Sequence, residues 1–139
     1  MKQKYIKAFI DMASVFAQTS EAKRLKVGAL IVKDDQIISQ GVNGSPSGYP
    51  TNSCESEDGI TASWVVHAEL SALNKLRKSN SSSLGAEMFC NYSCCVNCAV
   101  NIVDSGILKF TYKNEYRDSS GIDYLIKNNV EVVKWEDQS

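Results

Sequence analysis

Apolar residues recur along this chain with two different spacings, and each spacing predicts a type of element. Residues 4–18 and 65–78 carry apolar side chains at helical intervals, which indicates two amphipathic helices. A branched apolar run at 27–32 is followed by a polar turn and a second short segment at 37–41 that begins with two isoleucines, which favours an antiparallel hairpin. The later elements are predicted as strand 87–91, helix 96–105 closed by Gly106, strand 107–112, helix 119–128 and strand 130–135.

The order of these elements indicates the fold class. Strands that alternate with helices are typical of layered α/β folds, so we expect a three-layer α/β/α sandwich around a mixed five-stranded sheet. The chain has 139 residues, of which 43% are hydrophobic, and this is enough for a buried core. We therefore expect one domain that covers residues 1–139.

A long segment from about residue 43 to residue 62 interrupts this pattern. It is rich in Gly, Ser, Pro and Asn, which predicts irregular structure. Loops of this length inside compact domains are usually functional, so we expect the segment to contribute to a site.

The charge balance limits the partners that the protein can have. Fifteen basic residues stand against sixteen acidic ones, so no broad positive surface is available to a phosphate backbone, and we expect small-molecule ligands and no nucleic acid. The amphipathic start of the chain contains Asp11 and lacks the uninterrupted apolar run of a signal peptide or membrane span. We therefore expect a soluble, cytoplasmic protein that does not bind membranes.

The only histidine of the chain, His67, stands two residues before Glu69. A cysteine cluster follows downstream and comprises Cys94, Cys95 and Cys98. Catalytic zinc is typically held by three protein ligands and keeps one position open, whereas structural zinc has four ligands. A His-x-Glu motif followed by Cys-x-x-Cys is the signature of zinc nucleobase deaminases, in which the glutamate carries protons and does not bind zinc.

These residue types suit one reaction. Zinc can lower the pKa of a water molecule from about 15.7 to roughly 7, which makes hydroxide available at neutral pH. Glu69 can take the proton of that water and pass it to a ring nitrogen of a cytosine, so that hydroxide adds to the amino-bearing carbon. The same carboxyl then protonates the departing ammonia and leaves a uracil. If Cys95 and Cys98 lie in the first turn of a helix, its dipole stabilises their thiolates, and His67 would lie in the first turn of a neighbouring helix.

Each motif alone also has a simpler interpretation. A single histidine is usually a surface or core residue, and a single Cys-x-x-Cys can be a redox pair or half of a zinc ribbon. The joint pattern favours catalytic zinc, because the chain has no second Cys-x-x-Cys and its histidine lies within the deaminase tripeptide. The odd number of cysteines favours reduced thiols, with Cys90 in the core and Cys54 in the long loop.

Motifs along almost the whole chain resemble the deoxycytidylate (dCMP) deaminases, particularly the short forms carried by large DNA phages. The loop at 41–48 discriminates best, because Gly-aromatic-Asn-Gly-x-Pro-x-Gly is typical of the dCMP branch, with Val42 here in place of the aromatic residue. The other matching segments are 26–29, 67–69, 94–98, 104–107 and 114–117. The resemblance implies a cytidine deaminase-like fold.

The resemblance also implies roles for particular residues. His67, Cys95 and Cys98 would bind one zinc ion, and Glu69 would be the proton shuttle. The implied substrate contacts are Asn43 at the deoxyribose, the backbone of Ala68 and Ser93 at the pyrimidine edge, and Tyr92 at the border of the pocket. The implied reaction is hydrolysis of dCMP to dUMP and ammonia, which feeds thymidylate synthesis.

Regulation and assembly are implied in the same way. The family is typically a homohexamer that is activated by dCTP and inhibited by dTTP, with an effector site near the 43–48 loop at a subunit interface. Magnesium would accompany a triphosphate effector. The residues expected at the effector site are Lys23, Arg24, Gly44, Ser45 and Gly48.

Two residues depart from the family pattern. Cys94 stands where the family has proline, and we expect it to remain unbound because Cys95 and Cys98 keep the ligand spacing. Ser71 stands where the family usually has asparagine.

The site of the substrate phosphate is left open by the sequence. Lys113, Tyr116 and Arg117 follow a strand, at the end where α/β folds collect ligands, and they form either a phosphate site or a solvated turn. Two alternative functions also remain. One is the same chemistry on dCTP or cytidine, and the other is a zinc-stabilised binding module without catalysis, against which the presence of Glu69 argues.

Overall fold

The structure is a computed structural model that describes residues 1–45, 53–55, 59, 61 and 64–137. Each predicted element is present, with ends that differ from the prediction by three residues or fewer. In chain order, the elements are α1 (Gln3–Ala17), β1 (Gly28–Lys33), β2 (Gln36–Val42), α2 (Ala68–Arg77), β3 (Glu87–Tyr92), α3 (Val96–Asp104), β4 (Lys109–Asn114), α4 (Ser120–Lys127) and β5 (Glu131–Lys134).

The five strands form one mixed sheet in the order β2-β1-β3-β4-β5. β1 pairs antiparallel with β2 and with β3, whereas β3–β4 and β4–β5 are parallel pairs. The two parallel pairs are each connected through a helix, because a parallel crossover needs a connection long enough to return across the sheet. The mixed five-stranded sheet is therefore confirmed.

Two separate cores pack on opposite faces of the sheet, as alternation along the strands requires. On β1, Ala29 and Ile31 join the larger core beneath α2, α3 and α4, while Leu30 and Val32 face α1. Phe89 of β3 is fully buried on the α1 side, where its ring lies 5.2 Å from that of Phe9. Helices on both faces confirm the three-layer α/β/α sandwich.

The start of α2 differs from the prediction in a way that matters for the site. We predicted that His67 lies within the first helical turn, but α2 begins at Ala68 and His67 is its N-cap residue with an extended backbone (ψ 153°). The cause is a non-local pairing, since Val66 and Gly44 exchange backbone hydrogen bonds of 2.8 and 3.1 Å. This bridge holds the chain extended up to the residue before the helix.

β4 begins two residues later than predicted. Leu108 is 60% exposed, and its backbone bonds to Ala86 and Glu131, residues just outside or at the ends of the neighbouring strands. β4 ends at Asn114, which pairs with Tyr92 at the end of β3. The chain therefore leaves both strands at the same edge of the sheet. That edge also receives the N-terminal ends of α2 and α3, where the candidate metal ligands lie.

Among the described residues, no helix combines the length and the apolar character needed to cross a bilayer.

Candidate active site

Three predicted metal ligands meet between the starts of two helices. Cys95 is the N-cap residue of α3, Cys98 lies in its first turn, and His67 faces them from the N-cap of α2. Their ligand atoms all lie within 4.8 Å of one another. The Nδ1 atom of His67 is 3.5 Å from the sulfur of Cys95 and 3.3 Å from that of Cys98.

These distances fit zinc. Bond lengths of about 2.3 Å for Zn–S and about 2.0 Å for Zn–N at a tetrahedral angle place a sulfur and a nitrogen ligand about 3.5 Å apart. The two observed sulfur–nitrogen distances agree with this value to within 0.2 Å. Three ligands leave one tetrahedral position for another molecule, which is the arrangement of a catalytic site.

The ionisation of the cluster also suits a cation. Hydrogen bonds from Cys98 and His67 hold the pKa of the Cys95 thiol well below its usual range, which favours the thiolate form. The same hydrogen bond raises the pKa of Cys98, with burial adding to this effect, and the bond with Cys95 raises the pKa of His67. The metal-free trio therefore shares protons that a cation would displace.

Glu69 is a buried carboxyl at the floor of the site. It lies in the first turn of α2 and is 4% exposed. Burial raises its pKa, whereas a hydrogen bond from its own backbone and the charge of His67 act in the opposite direction. A carboxyl with a raised pKa is a stronger base than an exposed glutamate, which is the property that a proton carrier needs.

The other cysteines lie outside the cluster. Cys94 is 1% exposed, and burial raises the pKa of its thiol above the usual range. Cys90 is fully buried in the larger core, as predicted from its strand. Cys54 is also buried and borders the pocket described below.

A pocket of about 400 Å³ opens above His67 and Glu69. Six of the predicted substrate-binding residues line it, namely Asn43, Ala68, Tyr92, Ser93, Tyr116 and Arg117. Lys113 is not among the lining residues, and its ammonium group instead lies 3.4 Å from a carboxylate oxygen of Asp137.

The residues expected at an effector site do not all lie in the same place. Arg24 lines the same pocket as His67 and Glu69, whereas Lys23, Gly44 and Ser45 do not. Gly48 lies outside the described residues. The role of Arg24 at an effector site, which the family resemblance implies, stays a prediction, and the structure places Arg24 in the wall of this pocket.

Glu55 and Glu115, which also line the pocket, were not singled out from the sequence. The carboxylate of Glu55 accepts hydrogen bonds from the backbone N–H groups of Lys23 and Arg24, at 3.0 to 3.4 Å. Glu115 lies 3.4 Å from the ammonium group of Lys134. Both contacts join residues that are far apart in sequence, so no local pattern indicated them.

Two asparagine side chains fix the pocket wall at residues 25–28. Asn43 accepts a hydrogen bond from Val27 N–H and donates one to the Leu25 carbonyl. Asn91 accepts from Gly28 N–H and donates to the Lys26 carbonyl. A primary amide has two donors, and among the described residues only the Leu25 carbonyl accepts from Asn43, which leaves one amide hydrogen for a ligand.

Ser93 anchors the opposite wall. Its hydroxyl accepts a 2.6 Å hydrogen bond from the backbone N–H of Tyr116, and its own N–H donates to the Asn114 carbonyl. These bonds hold the segment that carries Arg117 against the start of the cysteine turn.

Together, the α/β/α sandwich, the zinc-compatible trio and the buried carboxyl define the class of a zinc-dependent hydrolytic deaminase. The chain belongs to the family described as the cytidine and deoxycytidylate deaminase zinc-binding region, which it matches over residues 3–114.

Individual relatives agree with this assignment. The chain is 47% identical to the dCMP deaminase of cyanophage S-TIM5, which was crystallised with dCMP and dUMP; the TM-score is 0.96, over 97% of this chain and 99% of that one. It is 32% identical to the deoxycytidylate deaminase of a Mycobacterium phage, over 77% of this chain and 92% of that protein. It is 31% identical to ComE operon protein 2 of Bacillus subtilis, over 78% of this chain, and spans 59% of that protein's length.

Proposed function

We propose that the protein hydrolyses dCMP to dUMP and ammonia within one deaminase domain. The observation that carries the proposal is that two arginines, Arg24 and Arg117, line the same pocket as His67 and Glu69. His67 and Glu69 belong to the predicted zinc site, which would act on a cytosine base, and the two arginines can bind a phosphate group. The pocket therefore suits a cytosine nucleotide. The similarity to the cyanophage enzyme supports dCMP in particular.

His67, Cys95 and Cys98 would hold the zinc ion, since their spacing matches tetrahedral coordination. When bound there, zinc lowers the pKa of a water molecule to about 7 and so supplies hydroxide at neutral pH. The start of α3 contributes as well, because the positive end of its dipole stabilises the thiolates.

Glu69 moves the protons of the reaction. As a carboxylate it takes one proton from the attacking water and delivers it to the ring nitrogen N3, while the remaining hydroxide forms a bond to C4. It then takes the proton of the new hydroxyl group and gives it to the amino group, so that the C4–N4 bond breaks and ammonia leaves. Glu69 ends as a carboxylate, and the product carries a C4 carbonyl and a protonated N3.

The pocket walls orient the nucleotide. The backbone of Ala68 and Ser93 would bind the pyrimidine edge, beside the ring of Tyr92, and the remaining amide hydrogen of Asn43 would reach the deoxyribose. These assignments draw support from the position of all four residues in the pocket lining.

The phosphate is proposed to bind between Arg24 and Arg117. Guanidinium groups bind phosphate oxygens with paired hydrogen bonds. Two of the pocket carboxylates have other partners, since Glu55 accepts hydrogen bonds from backbone N–H groups and Glu115 pairs with Lys134. Tyr116, which is 45% exposed at the same rim, can add a hydroxyl donor.

The Arg117→Gln variant tests this phosphate site. We expect kcat/KM for dCMP to fall about 10- to 100-fold, the range for loss of a hydrogen bond to a charged group. Turnover of deoxycytidine, which has no phosphate, should stay within about threefold of its wild-type value. The measurement is the loss of cytosine absorbance with each substrate, for this variant and for Arg24→Gln.

Arg77→Gln is the matched control, since Arg77 lies at the far end of α2 and bonds to Asn74. It should leave the ratio of dCMP to deoxycytidine turnover unchanged. If Arg117→Gln and Arg24→Gln also preserve that ratio, the phosphate does not bind between these arginines.

Regulation and cellular role follow from the family resemblance. We infer activation by dCTP with magnesium, inhibition by dTTP, a homohexameric assembly, and a cytoplasmic role in supplying dUMP for thymidylate synthesis. Lys23, Gly44 and Ser45 lie beside the pocket wall rather than in it, which suits a separate effector site. Assays with dCMP, alone and with dCTP or dTTP, test the effectors, and dCTP alone tests it as a substrate.

A further inference from the structure

Two glycines lie against the backbone of the turns that carry the metal ligands. Gly121 is in α4 and contacts the turn before α3, and Gly41 is in β2 and contacts the first turn of α2. Neither has a positive φ, so backbone conformation does not require glycine at these positions. Glycine weakens both helices and strands, and within a strand it often marks a close approach of another backbone.

The contact at Gly121 leaves no room for a side chain. A Cβ atom at this position would overlap the carbonyl oxygen of Cys94 and would lie 2.7 and 2.8 Å from the carbonyl carbon and oxygen of Cys95. The Cys95 carbonyl accepts the first hydrogen bond of α3, from Ala99 N–H at 3.0 Å. An atom added to Gly121 would therefore displace the backbone of Cys95. Cys95 is itself a metal ligand, and its carbonyl begins α3, the helix that contains the ligand Cys98.

Gly41 makes a similar close contact with the first turn of α2, which follows His67. A Cβ atom there would lie 2.5 Å from both the Ala68 carbonyl oxygen and the Ala72 nitrogen, and 2.9 Å from the Cβ of Ser71. Ala68 directly follows His67, and the His67 carbonyl accepts a hydrogen bond from Ser71 N–H at 2.8 Å. A side chain on Gly41 would thus displace the turn that positions His67.

We propose that Gly41 and Gly121 are positioning residues of the metal site, each of which sets the location of one ligand-bearing turn by direct backbone contact. This inference rests on the metal site of the proposed function. Ordinary contacts of a Cβ atom begin at 3.4 Å, so an alanine at Gly121 would require a shift of about 0.7 Å at the carbonyl carbon of Cys95 and a larger one at the carbonyl oxygen of Cys94. Metal–ligand distances normally stay within about 0.2 Å of their usual values, so a larger shift of the peptide that carries a ligand is expected to disturb coordination.

The fold supplies a control with the same steric problem in another place. A Cβ atom at Gly28 would overlap the carbonyl oxygen of Ala13 and lie 2.8 Å from the Ala17 nitrogen, both in α1. α1 packs on the face of the sheet opposite to α2 and α3 and carries none of the ligands. Gly28→Ala should therefore destabilise the fold as Gly121→Ala does, without moving the ligand turns.

The test compares Gly121→Ala, Gly41→Ala and Gly28→Ala as full-length, metal-free proteins. Thermal unfolding in EDTA measures the cost to the fold, and titration with cobalt(II), followed by zinc competition, measures metal affinity. We expect all three variants to lower Tm. Only Gly121→Ala and Gly41→Ala should raise the dissociation constant for metal, by about tenfold or more, the range seen when orienting partners of ligands are lost. Gly121→Ala should also shift the thiolate-to-cobalt charge-transfer band.

Each outcome is decisive. Wild-type metal affinity and an unshifted spectrum in folded Gly121→Ala and Gly41→Ala would overturn the proposal. So would failure of both to fold with saturating zinc while Gly28→Ala folds, because the contacts would then serve packing as a whole. Wild-type protein that binds cobalt through thiolates but does not deaminate dCMP would refute the proposed function alone, since the affinity comparison does not depend on the substrate.

Discussion

Replacing Glu69 with glutamine is expected to lower kcat for dCMP by at least about 1,000-fold, because one group serves two proton transfers and general acid–base catalysis contributes about 100- to 10,000-fold. Glutamine keeps the shape of the side chain but cannot take up or release a proton. The buried position of Glu69, with 4% exposure, leaves little room for solvent to replace it. Loss of cytosine absorbance at saturating dCMP measures the effect.

The control for this variant is its metal content. Glu69 is not a member of the ligand trio, so the purified variant should hold one zinc per chain, as measured by plasma mass spectrometry. Glu115→Gln changes another pocket carboxyl, one that pairs with Lys134 at the rim, and should keep kcat within a few-fold of wild type. Turnover by Glu69→Gln at the wild-type rate would refute the proton-carrier role and favour a different base.

The elements of the fold were predictable because hydrophobic periodicity is a local signal. β1 was predicted from an unbroken run of apolar residues, which suits a strand buried on both faces, and α1 was predicted from the helical spacing of its apolar side chains. The start of α2 was not predictable in the same way. Val65 and Val66 continue the helical pattern in the sequence, but the bridge between Val66 and Gly44 overrides it. A pairing partner 22 positions away leaves no mark on local periodicity.

The same distinction between local and non-local signals applies to the candidate site. His67, Glu69 and the Cys-x-x-Cys pair were predicted from short motifs, and the structure brings them together. The convergence of Arg24 and Arg117 on one pocket depends on how β1, β3 and β4 align, and the sequence alone did not indicate it. For Lys113, a side chain that looked available in sequence is paired with Asp137 in the fold.

Cys94 shows why spacing alone is an incomplete guide to metal ligands. It neighbours Cys95 in sequence, yet its side chain is buried in the larger core and its sulfur is not among the atoms that meet His67. The extended backbone of Cys95 at the N-cap turns successive side chains in opposite directions, so adjacent cysteines cannot both face the site.

Cys98→Ser and Cys94→Ser form a matched pair that tests this assignment, because each replaces one buried thiol of the same segment by a hydroxyl. We expect Cys98→Ser to weaken zinc binding by more than the roughly 10- to 100-fold that loss of an outer partner costs, and to abolish measurable deamination after dialysis against chelator. Cys94→Ser should retain one zinc per chain and kcat within a few-fold of wild type, since its sulfur lies outside the ligand trio. Zinc retention by Cys98→Ser together with zinc loss from Cys94→Ser would show that Cys94 binds the zinc in place of Cys98, and would refute the ligand trio.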